Sequence, residues 1–143
     1  MARLISTSVL IAAPASRIWS ILMDFDAYQS WNPFIRNLKG DARVGSRLEA
    51  VIAPPGGKPQ TFRPVVLEVV PDRVFAWRGS LPIPGLFTGE HRFSMADEGP
   101  GTRFTQSEGF SGALVPFVSG ILSATESGFQ AMNEALQARA EAR

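Results

Sequence analysis

The sequence predicts an α+β fold in which a curved antiparallel sheet of about six to seven strands wraps one long C-terminal helix. Two short helices follow the first strand. Three observations predict this layout. Leu114, Val118, Ile121, Leu122, Phe129, Met132 and Leu136 recur close to the 3.6-residue period of a helix with one buried stripe. Ser119, Ser123, Glu126, Gln130, Asn133, Glu134 and Gln137 fill its other side. Much of the remaining chain is short alternating runs separated by turn residues, as strands are. No other segment is a helix of comparable length, so the stripe must be buried against a sheet.

The elements follow in order. Arg3 to Ala12 alternates as a strand, and Ala13-Pro14 stops it with Pro14 placed for the first position of a helix. Ile18, Ile21, Leu22 and Phe25 give a short amphipathic helix, and Asp26 to Ser30 one further turn. Pro33 forces Asn32 out of the helical region, so the chain becomes extended there. Ser46–Ala53, Thr61–Val70 and Arg73–Gly79 read as strands, joined by the Pro54 to Pro59 turn cluster and by Pro71-Asp72. Pro64 marks an edge or a bulge because it cannot donate to a ladder. Gly89–Ala96 and Thr102–Phe110 form a hairpin closed by Asp97 to Gly101. The last helix runs from about Leu114 to Ala138, roughly 37 Å at 1.5 Å per residue. Strands this closely spaced, without helices between them, are antiparallel.

Composition excludes several classes of function. The chain has 143 residues, enough for one domain over 1–143, with 45% hydrophobic and 19% charged residues, so a packed core is expected. A formal charge of +1 without a basic run speaks against nucleic-acid binding. With no cysteine and one histidine, neither a disulfide nor a multi-histidine metal site is expected, and no cofactor is implied. Residues 3 to 15 mimic a short signal peptide, but Ser6, Thr7 and Ser8 interrupt the apolar run. No run approaches the ~18 apolar residues of a membrane span. The expectation is a cytoplasmic protein without stable membrane insertion; oligomeric state is left open, a homodimer included.

Candidate chemistry concentrates on the hairpin. Pairing Phe93 with Phe104 sets His91 opposite Gln106 and Glu108 one step further along the same face. His91, Gln106 and Glu108 then form a polar row beside Phe93, Phe104 and Phe110. Three phenylalanines do not suit a solvent face, so the row belongs to the concave one. An apolar surface with a few convergent polar groups is the usual make-up of a small-molecule site. His91 and Glu108 also have the chemistry of an acid/base pair. However, no nucleophile elbow, zinc-binding motif or phosphate loop accompanies them. Trp77 is a further candidate for the lining, whereas Trp31 and Phe34 read as core. Arg78 and Glu90 are expected to pair on the outer face.

The apolar loop from Leu81 to Phe87 is a candidate gate, its Leu86 and Phe87 closing against Ile35 and the Pro116-Phe117 turn. Phe117 and Ile121 are then candidate ligand contacts from the helix start. Gly120 and Gly128 each cost the helix roughly 1 kcal/mol relative to Ala, which suggests that space is needed there. Close packing at Gly128 is the simpler reason.

The element order resembles the START-like helix-grip superfamily, also called SRPBCC. More narrowly it resembles bacterial polyketide cyclase/dehydrase and lipid-transport proteins. Ala13-Pro14-Ala15-Ser16 leading into Ile18-Trp19, Asp26-Ala27-Tyr28 with Trp31-Asn32-Pro33-Phe34, and Gly101-Thr102-Arg103-Phe104-Thr105 carry the resemblance. Phe110-Ser111-Gly112 and Gly128 to Asn133 add to it. The resemblance implies a hydrophobic cavity between sheet and helix, in a superfamily where only some members catalyse reactions. The leading expectation is a carrier for a hydrophobic small molecule such as a lipid or polyketide, with Trp77, His91, Phe93, Phe104, Gln106, Glu108 and Phe110 around it. A polyketide cyclase/dehydratase-like enzyme using His91 and Glu108 is the alternative, and a protein-interaction module the third.

Overall fold

In the computed structural model, which describes residues 2–80 and 85–142, a 23-residue helix, α3 (Ser119–Glu141), crosses a five-stranded antiparallel sheet. The sheet runs in the order β1 (Ala2–Ile11), β8 (Gly101–Ser111), β7 (Thr88–Glu98), β6 (Val74–Ser80), β5 (Val65–Val70). After β1 come α1 (Ala15–Met23), a 3₁₀ turn (Phe25–Ala27) and α2 (Tyr28–Trp31). A second, three-stranded sheet holds β2 (Ile35–Lys39), β3 (Glu49–Ile52) and β4 (Gln60–Phe62). The α+β helix-grip layout is as expected.

The strands number eight among the described residues, above the expected six to seven, and lie in two sheets. The cause is local. The run Thr61–Val70 breaks at Arg63-Pro64, so β4 stays with the small sheet while β5 becomes an edge of the large one. The extended chain after Pro33 turns out to be a strand, β2. An isolated bridge between Arg47 and Val65 ties the sheets, with Leu48 N–H donating to Pro64 C=O (2.8 Å) and Val66 N–H to Ser46 C=O (2.8 Å).

Several local rules place these elements. Pro14 is the N-cap of α1, one position before the expected site, at φ −71° and ψ 153°. Asn32 is extended (φ −89°, ψ 113°), as Pro33 requires, and its Oδ1 accepts from the N–H groups of Phe34 (2.9 Å) and Ile35 (2.8 Å). That turn aims Phe34 inward, where it is 3% exposed. Asp72 makes the β5–β6 connection at φ +65°, which a short polar side chain tolerates. The edge strand β1 is covered by α3: Gln137 Nε2 donates to Leu10 C=O, and Glu141 Oε2 accepts from Ala12 N–H. Arg17 donates to the carbonyls of Ala140 and Ala142, capping the C-terminus of α3 with a cation.

Tyr28, the chain's one tyrosine, is fully buried, and its hydroxyl donates to Leu22 C=O (2.7 Å). Burial, and secondarily the Asp24 carboxylate, push its pKa far above the usual phenol range. The folded state therefore binds this proton more tightly than the unfolded one. The resulting stability is complete below the unfolded value of about 10 and declines as pH rises above it. In an alkaline titration, phenolate absorbance should appear together with the loss of circular dichroism. A phenolate signal preceding unfolding would contradict the buried placement.

Candidate functional site

The concave face of the large sheet is set by alternation along its strands. Its cross-strand row Ile5, Glu108, His91, Trp77, Val66 lies next to the row Thr7, Gln106, Phe93, Phe75. The hairpin register differs from the expected one by two residues: His91 pairs with Glu108, Phe93 with Gln106, and Met95 with Phe104. The turn decides this. Glu98 pairs with Gly101 across a two-residue loop whose Gly99 adopts φ +58°, the sign required at the first position of a II′ turn. A shift of two keeps every side chain on its face, so His91, Gln106 and Glu108 still converge.

They converge in a connected hydrogen-bond network. His91 Nδ1 lies 3.0 Å from Glu108 Oε1, and its Nε2 lies 3.0 Å from Gln106 Oε1. Gln106 Nε2 donates to Asn133 Oδ1 (2.9 Å) and to Phe129 C=O (3.4 Å). Asn133 Nδ2 donates to Thr7 Oγ1 (2.8 Å), whose hydroxyl donates to Gln106 C=O (3.2 Å). His91, Gln106 and Asn133 are each no more than 3% exposed.

The backbone fixes the direction of this chain. The carbonyls of Gln106 and Phe129 can only accept, so the Thr7 hydroxyl and the Gln106 amide must point their hydrogens at them. Gln106 is then left with Oε1 facing His91, and His91 Nε2 must carry a hydrogen. Reversing both amides would set Gln106 Oε1 against Phe129 C=O and leave the Thr7 hydroxyl, with one hydrogen, facing two acceptors, Gln106 C=O and Asn133 Oδ1. The 3.0 Å contact of Nδ1 with Oε1 fits a hydrogen bond whose proton either atom can supply.

The aromatic surroundings are equally close. Trp77 stacks on the His91 ring (centroids 5.1 Å, 29°), Phe129 meets it edge-on (4.9 Å, 74°), and Phe93 lies at 4.6 Å. Phe104 stacks on Phe93 at 6.0 Å. Trp77, His91, Phe93, Phe104 and Gln106 thus form one buried cluster, with Glu108 partly exposed at its end (side chain 19%). Phe110 is buried and stacks on Phe87 at 5.6 Å. Leu86 is half-buried and held by its backbone, its C=O accepting from Leu114 N–H (3.0 Å). Of the expected gate, Leu81 to Pro84 lie outside the described residues. Ile35 is fully buried in the core.

Two candidates are placed elsewhere. Phe117 and Ile121 are 80% and 63% exposed, and neither joins the cluster. The segment Val115–Phe117 is a 3₁₀ turn, and Val118 at φ −122° and ψ 28° separates it from α3. The helix therefore starts at Ser119 instead of Leu114, and its phase turns Ile121 outward. Arg78 and Glu90 pair on the outer face as expected, at 3.9 Å and half-exposed, a contact that contributes little.

Asn133 and Thr7 were not anticipated. Asn133 was placed on the polar side of the helix, yet it is the turn above Phe129 and beside Met132 and Leu136 on the buried stripe. That spacing, i+4 from Phe129, was the available signal. The rings of Phe34, Phe93, Phe104 and Phe129 occupy the interval under the second half of α3, where a cavity was expected. One surface depression lies instead between α1 and the end of α3, near Arg17 and Arg139. Another adjoins Leu4 and Glu90. Under the first half of α3 packing is sparser: from Ser119 to Ser127 only Leu122 is buried.

Fold and concave polar cluster together define a helix-grip protein. The chain belongs to the family described as polyketide cyclase / dehydrase and lipid transport, which matches residues 2–141. It is similar to a START superfamily protein from Mycobacterium smegmatis, at 26% identity over 96% of this chain and 97% of that one (TM-score 0.73). It is also similar to the Zhui aromatase/cyclase from a Streptomyces species, at 18% identity over 99% and 94% (TM-score 0.79). The di-domain ARO/CYC BexL matches at 16% identity and TM-score 0.81; the chain, 99% covered, spans 51% of it. Below one quarter identity, such likeness establishes the fold. No curated protein matches the chain in sequence. No helix among the described residues is long and apolar enough to cross a membrane.

Proposed function

We propose that the protein binds and carries an apolar small molecule, held between the Glu108–Phe110 end of the sheet and the first half of α3. The observation that carries this reading is the state of the polar network. Both nitrogens of His91 are engaged inside the protein, whereas among the described residues Glu108 uses only Oε1, and it reaches the partly exposed end of the cluster. Phe110 and Phe87 supply apolar surface at that end of the sheet, and the packing of α3 is sparsest in its first half, where Leu122 alone is buried from Ser119 to Ser127. A concave apolar wall with one convergent polar atom suits a ligand with an apolar body and a small polar end. The family description and the structural likeness to an aromatase/cyclase support the same class of ligand.

The test is organic extraction of the purified protein with mass spectrometry, combined with titration of the neutral apolar dye N-phenylnaphthylamine. An apolar species near stoichiometry, or saturable dye binding that the extracted ligand reverses, is the expected result. An empty extract together with no dye binding would overturn the reading.

One observation favours a cyclase or dehydratase instead: the 3.0 Å contact of His91 with Glu108 gives the carboxyl group a proton partner. In that case Glu108→Gln should preserve binding and lower turnover of a polyketide-like substrate by about a hundredfold or more. A pure carrier has no turnover to lose.

A further inference from the structure

Resting on the binding reading above, we propose that Glu108 sets the class of ligand: an apolar molecule whose polar end donates a hydrogen bond, such as a phenol, an alcohol or an amine, and not a fatty-acid-like carboxylate. The argument starts at the far end of the network. The Gln106 and Phe129 carbonyls fix the Thr7, Asn133 and Gln106 orientations, so His91 Nε2 carries a hydrogen. The proton of the hydrogen bond between Nδ1 and Glu108 Oε1 can be supplied by either atom. In the first case Glu108 is a carboxylate; in the second, its hydrogen lies on Oε1 and points at the ring. Either way Glu108 Oε2 is an acceptor without a hydrogen.

Among the described residues Oε2 receives no hydrogen bond, and the residue beside it is Gly89, where a Cβ would collide with that oxygen. Of the described lysines and arginines on this sheet, only Arg3, opposite Phe110, shares the face of Glu108, and it is exposed to solvent at the rim. All of those described are exposed except Arg103, which is half-buried and held by Glu98 through two hydrogen bonds. The other members of the cross-strand row, Ile5, Trp77 and Val66, are buried and offer no cation. A ligand hydroxyl or amine therefore finds the acceptor that ends the chain. A ligand carboxylate meets a second carboxyl oxygen, with only the solvent-exposed Arg3 on that face, screened by water, to offset its lost hydration.

The experiment compares three probes of one shape, naphthol, naphthalene and naphthoate, by equilibrium dialysis against the full-length protein at neutral pH. Naphthol is expected to bind at least tenfold more tightly than naphthoate, with naphthalene between them. Glu108→Gln, whose amide can donate as well as accept, should bring the naphthol-to-naphthoate ratio toward one. Naphthalene binding with naphthoate held as tightly as naphthol would overturn the proposed selectivity while leaving the carrier reading intact. A ratio unchanged in the variant would remove Glu108 from the role. Failure of all three probes would overturn the binding reading itself, and this inference with it. The wild-type ratio needs no substitution, so the outcome does not depend on the variant folding.

Discussion

Gln106→Leu is expected to destabilise the protein by about 3 kcal/mol or more, although leucine matches glutamine in size and suits a buried strand. The substitution strands two buried groups at once. His91 Nε2–H loses its acceptor, and Asn133 Oδ1 loses its donor. Each buried polar group left without a partner costs about 1–3 kcal/mol, and neither position is reached by solvent. A domain of this size has about 5–15 kcal/mol of stability in total, so the loss should be plain as a lower midpoint in urea with unchanged slope. Adding Asn133→Leu should cost less than the sum of the two single changes, because it removes one of the stranded groups. Thr7 then keeps its bond to Gln106 C=O, which the backbone still supplies. If Gln106→Leu unfolds at the wild-type midpoint, the network is not the connected unit described above.

That network also shows what a sequence can and cannot disclose. Alternation alone put His91, Gln106 and Glu108 on one face, because the side-chain period of a strand is two whatever its register. Which residue faces which was a different question. It depended on whether the Glu98-Gly99-Pro100-Gly101 turn closes over two residues or five, a local backbone choice invisible to periodicity. Asn133 was hidden by the habit of reading polarity as exposure. It sits on the stripe of α3, and only the presence of an amide across from it makes its burial tolerable. Pro64 announced an irregularity but not its kind: the strand broke and its halves joined different sheets. The direction of Ile121 was lost for a related reason. A turn containing Pro116 uncouples the segment before Ser119 from the helix after it, so one continuous stripe could not be extrapolated through both. The expected cavity came from the resemblance and from the phenylalanines and polar groups sharing one face, but volume between packed rings is a property of three-dimensional fit.

The two glycines of α3 should respond in opposite directions to the same kind of change. Gly120 faces open space, where an added Cβ meets nothing within 4 Å. Gly120→Ala should therefore stabilise by up to about 1 kcal/mol, through helix propensity and a less flexible unfolded chain. At Gly128 a Cβ would strike the Phe34 ring, which is 3% exposed and held edge-on against Phe129 (5.6 Å, 82°). Phe34 cannot simply rotate away, because the Asn32 turn anchors its backbone and Phe129 blocks its face. Gly128→Leu is expected to destabilise by about 3 kcal/mol, at the upper end of overpacking costs and well beyond any gain in propensity. The strain should be specific to that ring. Phe34→Ala in the Gly128→Leu background should cost far less than Phe34→Ala alone, which opens a cavity and should lose about 3–5 kcal/mol. The two sites would then show a favourable coupling in a double-mutant cycle, measured by denaturant unfolding. Additive losses would mean that helix and ring are separated, and that the glycine leaves room for something other than Phe34. A ligand would then be the first candidate for that space.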